Sequence, residues 1–150
     1  IFMNITYRKA KPEDIRAITE FGLKLYGPEN TFESLYKENE EILSSESQIL
    51  FLAEDNDKII GFADCSLRYD YVEGTHGGVI GYLEGIYIDP PYRMKGIAKA
   101  LVSLCEDWAR EKGCKEFASD CELYNDESYR FHLKIGFKEA NRLICFVKEL

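Results

Sequence analysis

Apolar and polar positions along the chain switch repeatedly between a period of two and a period near 3.6, and the switches mark out the elements. The run NITYRKA places Ile5 and Tyr7 on one face and reads as a first strand. In KPEDIRAITEFGLKLYG, Ile15, Ile18, Phe21 and Leu25 form one helical stripe, with Pro12 near the first turn and Gly27-Pro28 as the stop. TFESLYKENEEILSS reads as a second, acidic helix with Thr31 as its capping residue. SQILFLAEDN and KIIGFADCSLR are two strands around Asp55-Asn56-Asp57, the pattern of a hairpin.

A polar, aromatic and glycine-rich stretch, YDYVEGTHGG, separates that hairpin from the strand VIGYLEGIYI. Its length and composition suit a functional loop better than a plain connector. Pro90 and Pro91 end the strand, because proline cannot donate to a ladder. Beyond Gly96 the residues Ile97, Ala100, Leu101, Leu104 and Cys105 predict a helix over 97–111, stopped by Gly113. KEFASDCEL then reads as a buried strand, DESYRFHLKI as a short helix, and NRLICFVKEL as a closing strand. Strand, helix and strand across 79–121 imply a parallel, right-handed crossover. The expected class is α/β (α+β): one domain over residues 3–150 with a mixed central sheet flanked by helices. Ile1 and Phe2 precede Met3, which reads as the native start, so the pair is taken as an added remnant.

Composition changes this picture little. With 45% hydrophobic and 31% charged residues in 150, the chain is an ordinary globular domain large enough for a core. No apolar run approaches membrane-spanning length and no signal-peptide pattern opens the chain, so a cytoplasmic protein without membrane or nucleic-acid partners is expected. The net charge of −8 argues against nonspecific nucleic-acid binding and permits a cationic ligand. The five cysteines, at 65, 105, 114, 121 and 145, include no CxxC and read as reduced structural residues. With only His76 and His132 available, no convincing zinc ligand set exists, and no metal is expected.

The chemistry concentrates where the strand gives way to the helix. RMKGIAKA fits Arg/Gln-x-x-Gly-x-Gly/Ala at a helix start. The first-turn amides there are unpaired and the helix dipole is positive, so a pyrophosphate would be stabilised. Gly96 lets the main chain approach, and Arg93, Lys95 and Lys99 add charge; a solvated basic turn is the bland alternative. In the same strand Glu84 stands in an apolar run, where a desolvated carboxylate would have a raised pKa and could act as a base. Asp120 follows FAS at a strand end, where ligands of parallel sheets gather, although a capping aspartate would look the same. His132 reads equally as a proton donor and as a hydrogen-bonded structural residue. His76 is expected to be exposed and Trp108 to belong to the core.

Together these residues resemble the GNAT acetyltransferase superfamily, across the whole element order from Ile5 to Val147. The resemblance implies acetyl-CoA as cosubstrate. Ile86, Tyr87 and Ile88 would face the pantetheine arm, and Met94, Lys95, Gly96, Ile97, Ala98 and Lys99 would form the pyrophosphate loop. YNDESYRFHLKIGF looks like a second cofactor signature, with Asn125 near the CoA and His132 where many members carry a tyrosine near the departing thiolate. GFADCSLRYDYVEGT, LEGIYIDPPYR, CEDWAREKGCKEFASDCEL and FHLKIGFKEA look closest to the bacterial aminoglycoside 6′-N-acetyltransferases.

That closer resemblance implies acetyl transfer to the 6′-amine of a polycationic antibiotic, with a homodimer as the expected assembly. Glu84, Asp120 and His132 would be the catalytic residues, and Tyr26, Glu29, Tyr71, Glu84, Asp120 and Asn141 would bind substrate. Asp70, Glu73 and the acidic helix would add negative field. Two departures stand out: Tyr26 takes the place of a frequent tryptophan, and Asn141 that of a frequent acid. A polyamine acceptor, or a noncatalytic acetyl-CoA-binding module, would share part of the pattern. A cysteine hydrolase is remote, since no Cys–His pairing is visible.

Overall fold

The sheet grows from a tight hairpin. In the computed structural model, which describes residues 3–150, β2 (Gln48–Asp55) and β3 (Lys58–Arg68) are joined by Asn56 and Asp57, with φ of 48° and 68°. Two consecutive left-handed residues make the turn whose twist matches that of the strands, and Asn and Asp tolerate it best after glycine. β1 (Ile5–Lys9) pairs antiparallel on the other edge of β2, with Ile5 opposite Asp55. β4 (Ile80–Ile88) pairs antiparallel with β3, with a register shift between Asp64 and Cys65. β5 (Phe117–Ala118) is parallel to β4, so the order is β1-β2-β3-β4-β5 and the expected crossover is present. The reading of Ile1 and Phe2 lies outside the described residues.

Strand alternation sends apolar side chains to both faces, and each face is covered. Leu50, Leu52 and Phe62 pack with Ile15 and Ile18 of α1 (Ile15–Tyr26) and Ile42 of α2 (Phe32–Leu43). Ile49, Ala53, Ala63, Cys65 and Leu83 pack with Ile97, Leu101, Val102 and Cys105 of α3 (Ile97–Glu111). Each such fully buried aliphatic side chain contributes roughly 1.5–3 kcal/mol. Trp108 borders this second layer, as expected. Thr31 caps α2 by accepting from the Ser34 amide at 3.1 Å. α4 (Asp126–Lys134) follows β5.

An ion pair ties the first strand to the first helix. Arg8 donates to both oxygens of buried Asp14 at 2.7 and 2.9 Å, and to Glu54 on β2 at 2.5 Å. The Lys11 amide also donates to Asp14. The Arg8 hydrogen bonds, foremost, hold the Asp14 carboxyl below the usual aspartate range, while burial opposes them.

Two expected strands are corrected. The buried strand read over 115–123 shortens to Phe117–Ala118, because the chain leaves β4 there to carry Ser119 and Asp120 across the sheet end. The closing strand read over 141–150 forms no ladder: Leu143, Ile144, Phe146 and Val147 are 63%, 81%, 91% and 96% exposed. A strand exists only where a ladder forms, and among the described residues this segment pairs with no strand. The cysteines are free thiols, with Cys65, Cys105 and Cys114 buried, Cys121 half-buried and Cys145 exposed.

Candidate active site

β4 is paired on both edges only at its start. Gly81 and Tyr82 pair with Phe117 and Ala118; from Leu83 onward β3 still pairs with β4, but among the described residues no strand continues on the β5 side, and the sheet splays there. Ile86, Tyr87 and Ile88 lie along this stretch. Their side chains pack into the two cores, leaving the main chain to line the opening. The strand runs into a turn with Met94 and Gly96 both left-handed, at φ of 62° and 80°. Gly96 is the N-cap of α3 and supplies no side-chain cap. A Cβ at Gly96 would meet nothing within 4 Å, so the chain is open to solvent at the start of α3, whose first-turn amides have no side-chain cap. Met94 and Lys95 are exposed beside them. Open strand edge and uncapped helix start together fit an extended pantetheine arm ending in a pyrophosphate.

Arg93 does more locally than add charge. Its Nε donates to the Ile88 carbonyl at 2.8 Å, and its guanidinium lies 5.2 Å from the Tyr87 ring centroid. It pins the end of β4 to the turn.

Next to the splay runs a chain of polar contacts. Glu84 accepts from Ser66 Oγ at 2.5 Å and from Arg68 Nε and Nη2 at 3.0 and 2.9 Å. Glu84 is therefore an ion-paired carboxylate, not the lone desolvated one expected from its apolar neighbours. The Arg68 guanidinium lies 3.4 Å from the Tyr82 ring centroid, and the Tyr82 hydroxyl donates to Asp120. Burial first, and then that bond to Asp120, raise the Tyr82 phenol well above its ordinary range. Glu84 and Asp120 thus belong to one network, linked through Arg68 and Tyr82.

A cavity of about 750 Å³ opens on the α1–α2 side of the same strands. Tyr26, Asn30, Glu38, Gln48, Asp64 and Glu84 are among its lining residues, and Glu41 adds a further acid. No lysine or arginine lines it. Four carboxylates without a lining cation, in partly desolvated surroundings, suit an ammonium group. Tyr26 reaches across so far that a Cβ on Gly85 would collide with its hydroxyl. Burial, and then the charges of Asp64, Glu84 and Glu38, raise its phenol above the ordinary range.

The residue that sequence reasoning missed is Asp64. It is only 8% exposed, and its carboxyl is pushed up to about 7, chiefly by burial. Glu84 and Glu38 raise it further, and the 2.8 Å hydrogen bond from Gln48 Nε2 works against them. The signal was present in GFADCSL: an acid inside an apolar strand, on the same face as Phe62 and Ser66.

The remaining expected residues lie outside the cavity lining. Asn125 caps α4, its side chain accepting from the Ser128 amide at 3.1 Å. His132 Nδ1 lies 2.7 Å from the Ser128 carbonyl, which only accepts, so Nδ1 carries a proton; Nε2 lies 2.8 Å from Ser119 Oγ, whose hydroxyl also donates to the Leu83 carbonyl at 3.3 Å. Through these two contacts His132 fastens α4 to the segment that follows β5. Tyr71 and Asn141 both donate to Glu73, clamping the 69–78 loop to the C-terminal segment. Glu29 is exposed at the end of α1. His76 is exposed and bonded to Glu116. Among the described residues no group of His, Cys, Asp and Glu is placed to hold a metal ion, and no helix is long and apolar enough to cross a membrane.

Comparison with known proteins agrees with this geometry. The Acetyltransferase (GNAT) family pattern matches residues 15–137. The aminoglycoside N(6′)-acetyltransferase type 1 of Salmonella typhimurium is 40% identical over 111 residues, 74% of this chain and 77% of that protein. Its namesake from Acinetobacter genomosp. 13 is 39% identical over 85% of this chain and 87% of its own. The solved structure of AAC(6′)-Iy in complex with the bisubstrate analog CoA-S-monomethyl-acetylneamine superposes with a TM-score of 0.93 at 32% identity, covering 98% of this chain and 99% of that one. With its splayed sheet, uncapped helix start and matching relatives, the chain belongs to the GNAT family of acetyltransferases.

Proposed function

We infer that this enzyme transfers acetyl from acetyl-CoA directly to the 6′-amine of an aminoglycoside, as the names of its relatives say of them. The observation that carries this reading is the cavity lined by Glu38, Glu41, Asp64 and Glu84, without a lining cation, beside the open stretch of β4. A polycation bound there would present one amine toward a thioester lying along Ile86–Ile88. The pyrophosphate would sit on the Met94–Lys99 turn, and Asn125 would lie at the cofactor's edge. Glu84, fixed by Arg68 and Ser66, would hold an ammonium, with Tyr26 as one wall. Asp120, Tyr71, Glu29 and Asn141 would meet the outer rings of the drug.

The assembly proposed is a homodimer in the cytoplasm. Leu143 and Cys145 alternate with Ile144 and Phe146, so both faces of the C-terminal segment are apolar, and Val147 continues the pattern. A strand apolar on both faces suits burial between layers, and a second copy is the occupant proposed for it.

Acetyl-CoA-dependent thiol release across 6′-amino aminoglycosides, a 6′-hydroxyl aminoglycoside and polyamines tests the function. Turnover is expected with the first group alone, and mass spectrometry should place the acetyl on the 6′-nitrogen. Faster turnover of polyamines would move the activity to a different small cationic amine.

A further inference from the structure

We propose that Asp64, rather than Glu84, accepts the proton that the substrate ammonium must lose before it attacks the thioester. This rests on the acetyltransferase reading above and names a residue within the same site.

The geometry separates the two carboxylates. Glu84 has both oxygens engaged, by the Ser66 hydroxyl and two guanidinium nitrogens of Arg68. Asp64 lies across the ladder from Gly85, the next residue along β4, and lines the same cavity. Its Oδ1 accepts from Gln48, and Oδ2 has no hydrogen-bond partner among the described residues. Since no partnerless polar side-chain atom is fully buried, Oδ2 opens to the cavity.

The groups facing Asp64 come from every neighbouring element. α1 supplies the Tyr26 phenol, α2 supplies Glu38, β2 supplies Gln48 and β4 supplies Glu84. None is cationic, so an incoming ammonium would be the first positive charge to reach Oδ2. With its carboxyl near 7, Asp64 is a proton acceptor matched to neutral pH.

The step balances simply. The ammonium N–H proton passes to Asp64 Oδ2, freeing the nitrogen lone pair. That pair forms the C–N bond to the acetyl carbon as the C–S bond breaks, and the electrons of that bond leave on the CoA sulfur. The second amine proton reaches the thiolate through solvent, and Asp64 returns its proton to solvent. The sum is ammonium plus acetyl-CoA giving amide, CoA thiol and one proton.

The test is the pH dependence of kcat/KM with neamine and acetyl-CoA for the parent, Asp64→Asn, Glu84→Gln and Gln48→Met. The parent should lose rate below about pH 7, where Asp64 is protonated. Asp64→Asn should fall by about 10²-fold or more at neutral pH and recover roughly tenfold per pH unit, as free amine becomes available. Glu84→Gln should raise KM and still show an acid limb, moved to lower pH because a charge that helps raise the Asp64 carboxyl is gone. Gln48→Met removes a bond that favours the carboxylate, so its acid limb should move to higher pH. Acetyl-CoA affinity and melting temperature report folding independently. An unchanged acid limb in Asp64→Asn, its loss in Glu84→Gln, or a Gln48→Met profile superimposable on the parent's would each overturn the assignment. A parent that binds acetyl-CoA but acetylates no amine would instead refute the underlying activity.

Discussion

Glu84 and Asp64 show how little a residue's type says about its chemistry until its partners are known. Both are acids within apolar strand runs, yet Arg68 anchors one while burial keeps the other partly protonated near neutrality. Gly96 offers a second test at this scale. At φ of 80° any side chain is strained by roughly 1–2 kcal/mol, but a Cβ there meets no neighbour, so Gly96→Ala should weaken acetyl-CoA binding only slightly. Gly96→Asp should weaken it by roughly tenfold or more, because the carboxylate both caps the amides of α3 and repels the pyrophosphate. Isothermal titration of acetyl-CoA against both variants distinguishes the two effects. Equal affinities would move the phosphate site elsewhere. Asp120→Asn should cut turnover while leaving acetyl-CoA affinity alone, since it removes charge from the Tyr82 link without touching the turn. Steady-state kinetics equal to the parent's would remove Asp120 from the site.

Among the elements, the junction of β1 with α1 carries a stability prediction. Asp14 is 3% exposed and gripped by Arg8, so its folded-state carboxyl lies below its unfolded value. A depressed carboxyl contributes stability that is full above the unfolded value near 4 and is lost as pH falls through the lower, folded one. Arg8→Met leaves Asp14 buried without its cation and should cost about 2 kcal/mol, less than a wholly buried pair because Arg8 is partly exposed. That corresponds to a melting temperature lower by roughly 4–8 °C. The loss should be largest near pH 7 and shrink as pH falls from the unfolded value through the depressed folded value of Asp14. Calorimetry across that range checks it, and a pH-independent loss would point to packing of the Arg8 stem instead.

At the scale of the whole molecule, the C-terminal segment exposes a run of apolar residues. Ile144 and Phe146 are 81% and 91% exposed, and burying two such side chains between copies is worth several kcal/mol at about 25 cal/mol per Å². The parent is expected to sediment as a dimer at micromolar concentration. Ile144→Glu combined with Phe146→Glu should shift it to monomer without lowering acetyl-CoA affinity, since neither residue touches the turn at the start of α3. A parent that sediments as a monomer would contradict the proposed assembly.

Periodicity alone determined the helices, the hairpin and the β4 crossover, because each is written in local alternation, capping and turn chemistry: the Ile15–Ile18 stripe, Thr31, and Asn56-Asp57 at positive φ. The left-handed turn before α3 was equally legible, since Gly96 and the helix after it are contiguous. Tertiary structure decided the rest. Whether Arg68 on β3 reaches Glu84 on β4 depends on register across a bulge, and register leaves no mark in either strand taken singly. The cavity joins α1, α2, β2, β3 and β4, so Asp64 became a site residue only when those five elements met. NRLICFVKEL carries strand propensity but pairs with no strand among the described residues, and a ladder is a property of two edges.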